Sequence, residues 1–81
     1  MESWNLAISC LKKSLELKPN SDTTLALLGT AYYKSKQIDL ALSTFEKALY
    51  IAPEDVRLNQ GYQNSLLVLD LFILMWYPII V

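Results

Sequence analysis

The sequence predicts an all-α fold of antiparallel helix-turn-helix hairpins, stacked as a short right-handed α-solenoid. Three observations predict it. The chain is similar to itself at a spacing of 34 residues, apolar residues recur at helical spacing, and a proline closes each of the two related segments. A fixed period of this length is typical of helical-hairpin repeats, in which each hairpin buries one face against its neighbour.

The two related segments are 4–19 and 38–53. Six of their 16 aligned positions are identical, and four more keep an apolar residue. We predict a helix over each, because their apolar residues recur every three or four positions, and we expect each helix to end before its proline. In the first segment, Trp4 occupies a core position of this stripe. In the second, the stripe consists of Ile38, Ala41, Leu42, Phe45, Ala48, Leu49 and Ala52.

A third helix is predicted over 22–35, between the two related segments. Ser21 or Asn20 would be its N-cap, and Asp22 suits its first turn. The connection to the helix at 38–52 is short, so these two helices must be antiparallel neighbours. Its core stripe consists of Leu25, Leu28, Gly29 and Tyr32.

These residues resemble the tetratricopeptide repeat family. Residues 22–55 would be one complete repeat, 1–21 the second helix of a truncated first repeat, and 56–81 a degenerate third repeat or a capping helix with an apolar tail. Lys36 departs from the glycine that the family often has in the turn, and a positive φ there would cost about 1 kcal/mol. The matching positions are Leu28, Gly29, Tyr32, Ala41, Phe45, Ala48 and Pro53, and Leu25 stands where the family favours tryptophan.

The resemblance implies a concave groove that binds another protein or a peptide. Tyr33 is the expected anchor, although packing against a neighbouring helix is the alternative, and Lys34 could meet a ligand carboxylate. Some family members clamp the carboxylate of chaperone tails. This chain has Ala26, Leu27 and Thr30 at the corresponding places, so we do not expect that ligand. The candidate groove residues are Thr23, Ala26, Leu27, Thr30, Tyr33, Lys34, Arg57, Gln60 and Asn64.

Composition argues against several other functions. With 7 basic and 8 acidic residues, the chain lacks the positive field that nucleic acids require. It has no histidine, no phosphate-binding glycine loop and no carboxylate pair in a plausible cleft, so we expect no enzyme, cofactor, metal site or small-molecule substrate. One cysteine, Cys10, allows no internal disulfide, and the N-terminus does not resemble a signal peptide. We therefore expect a cytoplasmic location.

The C-terminal third has a different composition from the rest. Residues 58–81 hold one of the 15 charges, Asp70, and the 34-residue period fades there. We predict a helix over 55–69, although Gly61 disfavours it. Four interpretations of 66–81 stay open: a packing helix, a partner or dimer surface, a membrane contact, or a segment that a truncation or a change of reading frame added.

A complete membrane span is disfavoured, because 16 residues are too few and because Asp70 and Pro78 interrupt the segment. Membrane association or self-association through 66–81 nevertheless stays the alternative function. About two and a half repeats are fewer than such stacks usually need for stability. We therefore expect a fragment or a short isoform of a longer repeat protein.

Overall fold

A computed structural model describes residues 3–80 of the chain, with side chains as far as residue 75. It contains four α-helices in chain order: α1 at Trp4–Leu17, α2 at Asp22–Lys34, α3 at Ile38–Ile51 and α4 at Val56–Ile80. No strand occurs among the described residues. The all-α prediction is therefore confirmed, and α2 lies at the centre of the packing, in contact with each of the other helices.

Local hydrogen bonds fix both ends of α2. At its start, the backbone N–H of Thr24 donates to Ser21 Oγ at 3.2 Å, so Ser21 is the N-cap and the alternative, Asn20, is wrong. At its end, the N–H groups of Gln37 and Lys36 donate to the carbonyls of Tyr32 and Tyr33 at 2.9 and 3.1 Å. This pair of bonds is a Schellman motif, which requires the left-handed conformation at its penultimate residue. Lys36 has a φ of 71°, as the sequence led us to expect.

The core lies where the helices approach most closely. The side chain of Phe45, which is 2% exposed, fills the space between α2 and α4. A Cβ atom on Gly29 would lie 2.8 Å from the ring, and one on Gly61 would lie 2.5 Å from it. Gly61 therefore lets α4 approach α3, a role that its sequence context does not reveal. The predicted core positions Leu25, Leu28, Gly29, Tyr32, Ala41, Phe45 and Ala48 are all buried.

Helix α1 is covered on one side only. Within the described chain it contacts α2 and no other helix, and Ile8 is its one buried residue. Trp4, which the sequence placed in a core position, is 37% exposed, so that prediction is wrong. Its side of α1 has no neighbouring helix to pack against, because the described chain supplies none. Central α2, by contrast, buries Ala26 and Ala31 in addition to its predicted stripe.

Helix α4 begins at a well-defined cap. The carboxylate of Asp55 accepts a hydrogen bond from the backbone N–H of Arg57 at 2.9 Å, which satisfies an N–H group in the first turn. The side-chain amide of Asn59 donates to the carbonyls of Pro53 and Asp55 at 3.1 and 2.9 Å. These bonds hold the turn between α3 and α4, so the direction of α4 is fixed from its first residues.

The end of α4 differs from the prediction. The helix continues to Ile80 instead of stopping near residue 69. Its 25 residues span about 37 Å, whereas the 13 residues of α2 span about 20 Å. The second half of α4 therefore extends beyond the turn that joins α2 to α3. Within the described residues, no helix combines the length and the apolarity that crossing a membrane requires.

Candidate functional site

The predicted groove residues lie on α2 and α4, with different exposure. Tyr33 and Asn64 are half-buried, whereas Ala26 is buried, with 8% exposure. Ala26 therefore belongs to the core and not to the open face, because central α2 is covered on several sides. The remaining residues of the set are exposed: Thr23, Leu27, Thr30, Lys34, Arg57 and Gln60.

Part of this set meets around one small cavity between α2 and α4. The cavity has a volume of about 150 Å³. The Phe45 ring and Gly61, where the helices approach most closely, form part of its wall. The structure thus brings four predicted residues to one place. They are Thr30, Tyr33, Lys34 and Asn64.

Hydrogen bonds leave two donors available in this cavity. Thr30 Oγ1 donates to the carbonyl of Ala26 at 2.9 Å, so its proton is already used. The amide of Gln60 donates to Asn64 Oδ1 at 3.2 Å, which orients the Asn64 side chain. Within the described chain, the amide N–H groups of Asn64 and the ammonium of Lys34 have no hydrogen-bond partner. A ligand that offers oxygen acceptors could therefore bind both.

Arg57 lies near the beginning of α4 and is already paired. Its guanidinium donates to both carboxylate oxygens of Asp55, with a shorter Nη2–Oδ2 distance of 2.9 Å. The hydrogen bond from Arg57 holds the pKa of the Asp55 carboxyl below its ordinary value. The same bond raises the pKa of Arg57, to which the charge of Asp22 adds a smaller effect. Arg57 is therefore less available to a ligand than Lys34.

The groove continues beyond the small cavity towards the turn between α2 and α3. A second cavity of about 560 Å³ shares Tyr33 and Lys34 with the first. Its other lining residues were not predicted from the sequence. They follow from the length of α4, which brings its second half alongside this turn. These residues are Lys36, Ile38, Val68 and Phe72.

Leu27 belongs to another surface. It lines an apolar cavity of about 360 Å³ between α1 and α2, together with Thr30 and the exposed Trp4. Thr30 is thus shared between the two sides, and Leu27 does not line the cavity between α2 and α4. Thr23, Arg57 and Gln60 do not line that cavity either. The predicted set therefore divides into a central group and peripheral members.

Tyr33 combines the two roles that the sequence left open. Its side chain is half-buried and packs against the core, and it also lines both cavities on the α4 side. Packing on one side restricts the ring, so little conformational entropy remains to be lost when a ligand contacts the other side. Tyr33 is therefore a suitable anchor residue.

Comparison with known proteins identifies the central hairpin. Residues 23–55 match the sequence profile of the family described as tetratricopeptide repeat. No curated protein matches the chain. The match covers α2 and α3, whose core positions agree with the pattern recognised in the sequence. The chain therefore belongs to the tetratricopeptide repeat family through residues 23–55.

Proposed function

We propose that the chain binds a peptide segment of another protein in the groove between α2 and α4. Repeats of this family are, in general, protein-interaction modules and typically non-catalytic. The observation that carries the proposal is the cavity where Thr30, Tyr33 and Lys34 of α2 meet Asn64 of α4. An aromatic anchor beside unpaired donors is the combination that binding hot spots favour.

The chemistry of the groove suggests which peptide would fit. The Tyr33 ring and the Phe45 wall offer an apolar surface for one side chain of the peptide. Lys34 and the amide of Asn64 would bind an acidic side chain or backbone carbonyls next to it. Because Asp55 neutralises Arg57, the beginning of the groove contributes little net positive charge. We therefore expect ligands with an apolar residue followed by an acidic residue, and we expect this binding to occur in the cytoplasm.

Peptide display tests this proposal. A library of random 12-residue peptides is selected against the purified full chain, and the affinity of the selected peptides is measured by titration calorimetry. Tyr33→Ala should weaken their binding by about 2 kcal/mol, because it removes the anchor. Lys34→Ala should weaken binding by about 1 kcal/mol, and this loss should shrink at high salt.

Two control variants match these substitutions outside the groove. Tyr50→Ala removes a tyrosine that is 91% exposed on α3, and Lys47→Ala removes an exposed lysine of the same helix. Neither should change the affinity. If Tyr50→Ala weakened binding as much as Tyr33→Ala, the ligand would occupy another surface. If Tyr33→Ala lost helicity in proportion to binding, the role of Tyr33 would be structural.

A further inference from the structure

The second half of α4 exposes a large apolar surface. Six consecutive or near-consecutive large side chains there are each more than half exposed. Since side chains of this size offer about 150–250 Å² each, together they present roughly 600 Å². Contiguous patches of this size are rare on monomeric proteins unless they serve binding. The residues are Leu67, Leu71, Phe72, Ile73, Leu74 and Met75.

Three of these residues form a regular row. Leu67, Leu71 and Leu74 follow each other at spacings of four and three residues, and they are 60%, 58% and 65% exposed. This spacing is that of the contact positions along which two helices pack as a coiled coil. The row extends the line of Arg57, Gln60 and Asn64 on the same helix. One face of α4 is thus polar beside the groove and becomes apolar beyond it.

We propose that this leucine row is a self-association surface, covered by the same row of a second copy of the chain. A two-fold axis near Leu71 would bring the two rows together, because closed two-fold pairing lets one patch cover itself. The exposed area of roughly 600 Å² per copy approaches the roughly 800 Å² that each partner contributes to a standard stable interface. This surface is distinct from the proposed peptide groove.

Asp70 favours a second copy over a lipid surface. It is exposed, and it lies between Leu67 and Leu71 in the chain, at the edge of the leucine row. If α4 entered a bilayer along this face, the carboxylate would approach the hydrocarbon, which is costly. Between two α4 helices, the same carboxylate would stay at the rim and in water. A coiled-coil seam tolerates charges at such flanking positions.

Sedimentation equilibrium of the full chain tests the proposal. We expect the wild-type chain at twice its 9.2 kDa mass in the micromolar range. Leu71→Glu should raise the dimer dissociation constant at least about 100-fold, because a charge then enters the centre of the interface in both copies. The matched control is Val56→Glu, which alters another exposed residue of α4, 78% exposed, outside the row. It should leave the dimer intact.

A second variant does not depend on a charged substitution. Leu71→Cys in a Cys10→Ser background should form a disulfide between two copies on mild oxidation, whereas Val56→Cys in the same background should not. A monomeric wild type, or equal dissociation of the Leu71→Glu and Val56→Glu variants, would overturn the proposal. So would flotation of the wild-type chain with vesicles of phosphatidylcholine and phosphatidylserine, because the row would then serve a lipid surface.

Discussion

The two halves of α4 reverse the usual relation between composition and burial. The first half, 56–65, contains most of the polar residues of the helix, yet it buries Leu58 and Ser65 completely. Its Tyr62 hydroxyl donates to Glu46 Oε2 of α3 at 3.3 Å. The second half holds one charge, yet every residue from 70 to 75 is exposed. The more polar half is anchored, and the more apolar half extends into solvent.

The difference shows that burial depends on which neighbours a segment has, as well as on its own hydrophobicity. Helices α2 and α3 are 13 and 14 residues long, so they can cover only about half of the 25-residue α4. Close approach also needs small residues, and Gly61 lies in the anchored half. The apolar half lacks covering helices within the described chain, which is why we expect it to associate with a second copy.

The largest expected effect comes from breaking the anchored half. Gly61→Val should lower the free energy of unfolding by about 1–3 kcal/mol, because the new side chain would overlap the Phe45 ring. The ring has no room to move, since Gly29 of α2 approaches it from another side. Ile73→Val introduces the same residue in the exposed half and should change stability by less than about 0.5 kcal/mol. Urea denaturation followed by circular dichroism measures both.

A rescue variant sharpens this prediction. Phe45→Leu in the Gly61→Val background shortens the side chain that the valine meets, so the double variant should lose less stability than the sum of the two single variants. Strict additivity would mean that the two residues do not interact. Equal losses for Gly61→Val and Ile73→Val would contradict the contrast between the two halves.

A smaller effect, of opposite sign, is expected at Ser65. Its side chain is fully buried, and Oγ has no hydrogen-bond partner among the described residues. Ser65→Ala should raise the free energy of unfolding by about 1–2 kcal/mol, because it removes an unsatisfied hydroxyl and improves helix propensity. Ser43→Ala, at an exposed position of α3, should gain only the propensity part of about 0.5 kcal/mol. A loss of stability in Ser65→Ala would show that the hydroxyl has a partner in solution.

The sequence predicted the central hairpin well, because both of its helices have regular apolar stripes and local end signals. Ser21, Lys36 and Pro53 are such signals, and each acts within a few residues of itself. The errors concern effects of neighbouring helices. Trp4 is exposed because α1 is covered on one side only, and Ala26 is buried because α2 is covered on several.

The candidate site was predicted in part for the same reason. Periodicity identifies the face of α2 that carries Tyr33 and Lys34, and its relation to α4 supplies Asn64. It does not identify Gly61, because a glycine inside a helix indicates weakness until its neighbour is known. It also misses Val68, which reaches the groove only because α4 continues past its predicted end.

The smallest expected effect concerns the cap where the anchored half begins. Hydrogen bonds from Arg57 hold the pKa of the Asp55 carboxyl below its ordinary value of 3.8. Because folding lowers this pKa, the carboxylate stabilises the fold above pH 3.8, and this contribution disappears as the pH falls through the lower folded value. Carbon-13 NMR of the carboxyl group measures the titration directly. Arg57→Gln should move the pKa of Asp55 up towards 3.8, whereas Lys47→Gln, which removes an exposed cation of α3, should leave it unchanged. An Asp55 that already titrates at 3.8 in the wild-type chain would mean that its pair with Arg57 does not persist in solution. Arg57 would then be available to a peptide in the groove, and the beginning of α4 would be held by Asn59 and the buried Leu58 alone.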